Sequence, residues 1–328
     1  MKHITITVPA GEGNNISSII GAYKVLSRAN EHYQSLHNKT LYKIEVAGIT
    51  KKVAYFDGLC TIRPHKHISA ISRTDLVIIP SLNHAYEEAI RKNKLLIEWI
   101  KMQHAQGAEI ASICTGGFLL AATGLLEGKT CSTHWSAEHQ MRKMFPGINL
   151  QTDKLITDHD GIYTNGGAFS FLNLIIYLVE KYFDRPTAIW CAKVFQIEMD
   201  RNSQSPFIIF NGQKQHGDEV VKEAQTYIEQ QLDEHISFGE LSARLSVGRR
   251  NFDRRFIKAT GNTPLEYAQR VKIEAAKKSL ESTRKTISEV MYEVGYADMK
   301  AFREIFRRIT GMSPLDYRKE YNNAALMD

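Results

Sequence analysis

Apolar positions follow two regimes along this chain. Over the first 200 or so residues, short β-rich runs at Ile4–Val8, Tyr42–Ile49, Asp75–Ile79 and Glu109–Ile113 alternate with helical stretches near 16–30, 85–106, 115–124 and 167–183. Strands alternating with helices predict an α/β sandwich, a parallel sheet covered by helices on both faces. Ile156–Thr164 holds Asp160-Gly161 at its middle and predicts a hairpin or a bent strand. From 218 onward the apolar residues recur at helical spacing and predict an all-α domain. Between the two regimes, 200–217 is polar and rich in breakers, as a linker is, although Phe207–Phe210 forms an apolar patch expected to dock on one of the domains. The predicted organisation is therefore 1–199, a linker at 200–217, and 218–328.

The helical region contains a duplication. Phe252, Phe256, Thr260-Gly261, Pro264-Leu265 and Tyr267 are repeated 50 residues later as Phe302, Phe306, Thr310-Gly311, Pro314-Leu315 and Tyr317. In each copy the two Phe share a helical face, the Gly stands where a helix C-cap belongs, and Pro opens the next segment. Upstream lie two short amphipathic patterns, Phe238/Leu241/Leu245 and Ile287/Val290/Val294, offset by 49. The second turn thus carries one extra residue and holds Gly295, where the first copy has Ser246. Each copy predicts a helix-turn-helix.

Charge sharpens this picture. Residues 241–310 contain 16 Lys+Arg against 8 Asp+Glu, whereas 218–240 contain 1 against 7. Turning the Phe pairs inward sends Arg250, Asp253, Arg254, Ile257 and Lys258 outward in one copy, and Lys300, Arg303, Glu304, Arg307 and Arg308 outward in the other; the charged residues of both sets, with Arg249, are the candidate DNA-binding residues. Arginine and lysine on the second helix of such a unit can reach guanine edges and phosphates in the major groove, so double-stranded DNA is the expected partner. Asp253 and Glu304 can either accept from a cytosine amine or neutralise nearby arginines. With the long helix Pro264–Ser282 between the copies, 218–320 closely resembles the AraC/XylS-type DNA-binding domain.

The whole chain has 328 residues, 43% hydrophobic and 24% charged, with a net charge of +6, which fits two soluble domains and suits a nucleic-acid partner. No apolar run approaches the ~18 residues of a membrane helix, and Met1–Thr7 alternates like a strand rather than a signal peptide, so a cytoplasmic protein with no membrane partner is expected. Cys60, Cys114, Cys131 and Cys191 have no metal-ligand spacing; reduced thiols, no metal and no cofactor are the expectation. His65 and His67 lie two apart without a Cys or carboxylate nearby and read as a surface loop. Gly11-Glu12-Gly13 lacks the rest of a phosphate loop and reads as a turn.

One segment of the first domain carries candidate chemistry. Ala111-Ser112-Ile113-Cys114-Thr115-Gly116-Gly117 runs an apolar strand into Cys114 and straight on into a helix, a nucleophile-elbow arrangement in which helix-terminal amides favour an anion or a thiolate. His134, in Ser132-Thr133-His134-Trp135, is a candidate imidazole partner. These motifs, with Tyr163-Thr164-Asn165-Gly166-Gly167, resemble the PfpI/ThiJ-like branch of the class I glutamine amidotransferase-like superfamily over roughly 1–195, which implies a flavodoxin-like fold. Joined to the AraC-type region, the arrangement resembles the GlxA-type transcriptional regulators.

That resemblance implies a sensor derived from an enzyme fold, with a ligand pocket at Cys114, Thr115, His134, Asn15, Ser17, Ser18 and Gly166. It also implies a homodimer and a small-molecule effector, with amino-acid or quaternary-amine derivatives within the range. RNA polymerase is a further partner for such a regulator. The family's enzymes add an acidic residue after the first strand, where this chain has Asn14–Ile20 and no carboxylate; Glu12 falls too early. Without that acid, Cys114 and His134 lack the third member that general-base activation uses, and a pocket without turnover is expected. The alternatives are a Cys-dependent hydrolase or amidase-like enzyme fused to a DNA-binding domain, and a redox sensor at Cys114.

Overall fold

The computed structural model describes residues 1–11, 15–214, 216–234 and 236–322. Glu12, Gly13 and Asn14, on which part of the turn and acid readings fall, lie outside the described residues. Two compact units are present, Met1–Gln204 and Ser205 onward.

In the first unit the strands are β1 (Lys2–Val8), β2 (Tyr42–Gly48), β3 (Val53–Tyr55), β4 (Cys60–Ile62), β5 (Lys66–His67), β6 (Leu76–Ile79), β7 (Glu109–Ser112), β8 (Thr130–Cys131), β9 (Asn149–Leu150), β10 (Ile156–His159) and β11 (Ile162–Asn165). Its helices are α1 (Ile16–His37), α2 (Tyr86–Lys92), α3 (Lys94–Ala105), α4 (Gly117–Ala122), α5 (Glu138–Met144), α6 (Phe171–Tyr182) and α7 (Arg185–Phe195). Seven strands make one sheet in the order β10-β11-β7-β6-β1-β2-β5, parallel except for β10. Helices α1, α6 and α7 pack on one face through Ile19, Leu26, Leu174, Val179 and Cys191; α3, α4 and α5 cover the other through Leu96, Ile100, Phe118 and Met141. Both faces of β1 are therefore buried, and its apparent polar positions are satisfied inside: Thr7 Oγ1 donates to Ile78 O at 3.1 Å, and Thr5 Oγ1 pairs with Thr74 Oγ1 at 3.0 Å.

Local chemistry explains where the expected elements shift. The helix expected over 85–106 is two helices, because the buried Asn93 side chain turns away to bind Ala10 N (2.7 Å) and Ala10 O (3.1 Å). The helix expected from 167 starts at Phe171, since Gly167 has φ +84° and breaks the run. Asp160 and Gly161 both take positive φ and form the two-residue turn of the β10–β11 hairpin. Helix α7 was not anticipated, although Asp184 caps it by accepting from Thr187 N and Pro186 sits in its first turn.

The second unit contains α8 (Glu219–Gln230), α9 (Phe238–Arg244), α10 (Arg249–Thr260), α11 (Pro264–Ser282), α12 (Ile287–Glu293), α13 (Met299–Thr310) and α14 (Pro314–Tyr321). The duplication is structural as well as textual. Phe252 and Phe256 stand 5.7 Å apart and Phe302 and Phe306 5.8 Å; Phe256–Tyr267 and Phe306–Tyr317 both meet edge-on, at 5.3 and 5.5 Å. Thr260 and Thr310 each return a hydroxyl bond of 2.8 Å to the Phe carbonyl four residues back, and Gly261 and Gly311 close the helices at φ +72° and +77°. Each copy has its own core. One gathers Val221, Ile228, Leu241, Phe252, Phe256 and Tyr267; the other Ile273, Leu280, Val290, Val294, Phe302 and Phe306, with α11 serving both.

Candidate nucleic-acid interface and buried elbow

Helices α9–α10 and α12–α13 are the two helix-turn-helix units. Their turns pass through left-handed residues at matching places, Ser246 (φ +56°) and Gly295 (φ +72°). At Gly295 an added Cβ would sit 2.7 Å from the Asp233 backbone, so glycine is required there on two grounds.

On α10, Arg249, Arg250, Arg254 and Lys258 are exposed and Asp253 is half-buried; on α13, Lys300, Arg303, Glu304, Arg307 and Arg308 are all exposed. The α10 charges are partly engaged. Arg249 Nε donates to both Asp253 carboxylate oxygens at 2.9 Å, and Arg254 donates to Asn251 Oδ1 at 2.9 Å. Arg308 donates to Gln269 Oε1 on α11 at 2.6 Å. Among the described residues no ion pair involves Lys300, Arg303 or Arg307. Arg255, which the wheel did not single out, forks onto Asp218 at 2.8 and 2.6 Å and ties α10 to the start of α8. The guanidinium holds the Asp218 carboxyl below its usual range.

The elbow lies at the carboxyl ends of β6 and β7, beside the point where the sheet order reverses between β1 and β6, the place where open α/β sheets bind ligands. Cys114 takes φ +53°, a strained conformation for a residue with a side chain, and is only 4% exposed. Gly116 permits the turn, because a Cβ there would stand 2.4 Å from Pro80 O. Burial raises the Cys114 pKa; hydrogen bonds from Ser81, from the side chain and backbone of Thr115 and from the His134 backbone oppose this. The thiol form is therefore favoured at neutral pH.

Hydroxyls connect the surrounding elements. Thr115 Oγ1 lies 2.9 Å from Ser81 Oγ and accepts from Leu82 N at 2.9 Å. Ser81 N donates to Ser18 Oγ at 3.0 Å, Ser18 Oγ donates to Asn15 O at 2.7 Å, and Asn15 N donates to Ser81 O at 2.8 Å. Ser17 N donates to the capping Asn15 Oδ1 at 3.0 Å. Asn15, Ser18, Thr115 and Cys114 thus come together through Ser81, which sequence reasoning missed although it directly follows an apolar strand and Pro80. The wholly buried Ser18 reaches the Ser81 amide from α1, and among the described residues no carboxylate is one of the groups that shift the Cys114 thiol.

His134 follows Thr133, whose side chain bonds the elbow backbone. Its ring stands 2.7 Å from Ser136 Oγ through Nδ1, which also accepts from Ser136 N, and burial together with nearby His84 lowers its pKa. Thr133 Oγ1 donates to Cys114 O at 3.0 Å. Gly166 lies against Gln204 rather than against the elbow: an added Cβ would be 1.7 Å from Gln204 Nε2. His65 Nδ1 accepts from Val46 N at 3.1 Å, and His67 caps a short helical turn by accepting from Ser69 N. Among the described residues no group of three or more metal-ligating side chains is assembled, and no described helix is long and apolar enough to cross a membrane.

Comparison with known proteins separates the same two regions. Residues 7–181 match the DJ-1/PfpI family and residues 241–320 match a helix-turn-helix domain family. The chain is 26% identical over 307 residues to the HTH-type transcriptional regulator GbdR of Pseudomonas aeruginosa, covering 92% of this chain and 80% of that one. It is 26% identical over 221 residues to the HTH-type transcriptional regulator GlxA of Rhizobium meliloti, covering 65% and 66%. Among solved structures, DJ-1beta of Drosophila melanogaster matches with a TM-score of 0.50 at 20% identity, over 60% of this chain and 98% of that one, a likeness of fold.

Proposed function

The chain belongs to the DJ-1/PfpI family and continues into a duplicated AraC-type helix-turn-helix domain, and from that premise we propose a DNA-binding transcription factor governed by a small-molecule effector held in the first unit. The observation that carries the reading is the second unit itself. Two copies of one fold, each with a private aromatic core, present basic outer faces on α10 and α13 while the cores hold those faces in place. Arg250, Arg254, Lys300 and Arg303 are the proposed base readers, and the remaining arginines and Lys258 are proposed to position the backbone. Homodimerisation would double the number of reading helices on one operator and raise affinity through effective concentration.

For the first unit we propose binding without turnover. Hydroxyls and amides surround the Cys114 thiol, and burial keeps it protonated, whereas a nucleophile needs the thiolate and a base to form it. The His134 ring is engaged through Nδ1 with Ser136 rather than with the thiol. The test has two arms. In a reporter strain carrying the cognate promoter, Cys114→Trp, whose bulk crowds the buried elbow, should abolish induction by metabolite mixtures while operator binding persists. Hydrolase, amidase or glyoxalase-like turnover by the wild type that disappears in Cys114→Ser would support the enzyme reading instead.

A further inference from the structure

The last residue of the first unit is not a surface residue. Gln204 is 2% exposed, and its amide fills the space left open by Gly166. Gln204 Nε2 lies 2.9 Å from Thr133 O, 2.8 Å from Thr152 O, 3.2 Å from Lys154 O and 3.3 Å from Ser132 Oγ, while its backbone N donates to Asp153 O at 2.9 Å. Two amide hydrogens thus serve four oxygens, so the side chain is held by the 132–133 loop and the 152–154 loop together. The 132–133 loop is also a wall of the elbow: Thr133 Oγ1 donates to Cys114 O at 3.0 Å. Cys114 is buried, so admitting a ligand beside it requires a wall to move.

The residues that follow Gln204 are equally committed to the second unit. Ser205 and Pro206 lie against Gly311, the left-handed cap that ends α13, within 3.6 and 3.9 Å of where a Cβ would be. The buried Lys277 on α11 donates to Ile208 O at 2.6 Å and to Glu274 Oε2 at 2.8 Å, and that same Glu274 oxygen accepts from Phe210 N at 3.1 Å. Phe210 packs edge-on against Tyr267 at 5.2 Å. The stretch 204–210 is therefore anchored at both ends, first to the elbow wall and then to α13 and α11.

Resting on the ligand-pocket reading above, we propose that Gln204 is the positioning residue that couples the elbow to DNA binding. Displacing the 132–134 wall pulls on Gln204, and chain continuity passes that displacement to the 205–210 segment seated on the end of α13. By linkage the reverse also holds: operator binding alters the opening equilibrium of 132–134.

Hydrogen exchange on the full-length protein, with and without a duplex carrying its genomic operator, reads this coupling without any effector. In the wild type, operator binding should change amide exchange at 132–134 by about fivefold or more. In Gln204→Ala the change should vanish while operator affinity stays within about twofold of wild type. Gly166→Ala, whose new methyl occupies the position of the amide, should lose the change by the opposite route and covers the case in which Gln204→Ala is poorly folded. Unchanged exchange in the wild type, or an equal change in both folded variants, overturns the proposal and leaves the DNA-binding function standing. Failure of the wild type to bind any genomic duplex overturns both.

Discussion

The two helix-turn-helix copies have nearly superimposable interiors and different exteriors. Phe–Phe and Phe–Tyr spacings agree within 0.2 Å, and the threonine and glycine caps are the same. Outside, α10 starts at Gly248 with no side-chain cap and pairs Arg249 with Asp253, whereas α13 starts at Asp298, whose carboxylate takes the amides of Lys300 and Ala301. The repeated pattern keeps what folds and varies the outer face. The interior therefore sets stability in the same way for both copies, and under the proposed function the exterior would set which sequence each one reads.

The largest expected effect tests the shared interior. Phe256→Ala and Phe306→Ala each remove a wholly buried ring and should cost about 3–5 kcal/mol in the unfolding of the second unit, by equal amounts if the copies are equivalent. Chemical denaturation of a fragment starting near His216, compared with the full chain, checks this and shows whether the second unit folds alone. A strongly unequal pair of losses would break the equivalence.

The turns should differ where the interiors do not. Gly295→Ala forces a Cβ into a left-handed conformation and against the Asp233 backbone, costing about 2 kcal/mol or more. Ser246→Gly relieves the same conformation in the first copy and should gain about 0.5–1 kcal/mol, less the extra freedom of glycine in the unfolded chain. Denaturation midpoints of the two variants decide it.

The smallest effect belongs to the elbow. Burial lowers the folded-state pKa of His134, so folding favours the neutral ring; that stability is present above the ordinary imidazole range and is lost as pH falls through it. Stability of the first unit should decline between about pH 7 and pH 5. His134→Gln should flatten that slope, and an unchanged slope would remove His134 from the balance.

Legibility in the sequence was uneven for a physical reason. The duplicated Phe, Thr-Gly and Pro-Leu-x-Tyr positions act through neighbours within a helical turn or across one tight turn, so spacing alone revealed α10, α11 and α13. Cys114 was visible as a strand-to-helix elbow for the same reason. Ser81, Ser18, Thr133 and Gln204 work through contacts between residues 19 to 72 apart, made by ordinary small or amide side chains that leave no periodic trace. Asn93 broke a continuous helical pattern because it binds Ala10, 83 positions away.

The most direct test of the account is operator affinity as a function of salt, measured for the wild type and for an Arg250→Ala/Arg303→Ala variant on the genomic operator and on a scrambled duplex. The account predicts that affinity falls steeply with salt on both duplexes and that the wild type prefers the operator by about a thousandfold or more. The double variant should lose about 1–3 kcal/mol per base-reading residue on the operator and much less on the scrambled duplex. Equal wild-type affinity for the two duplexes, or an unweakened double variant at fixed salt, would contradict it.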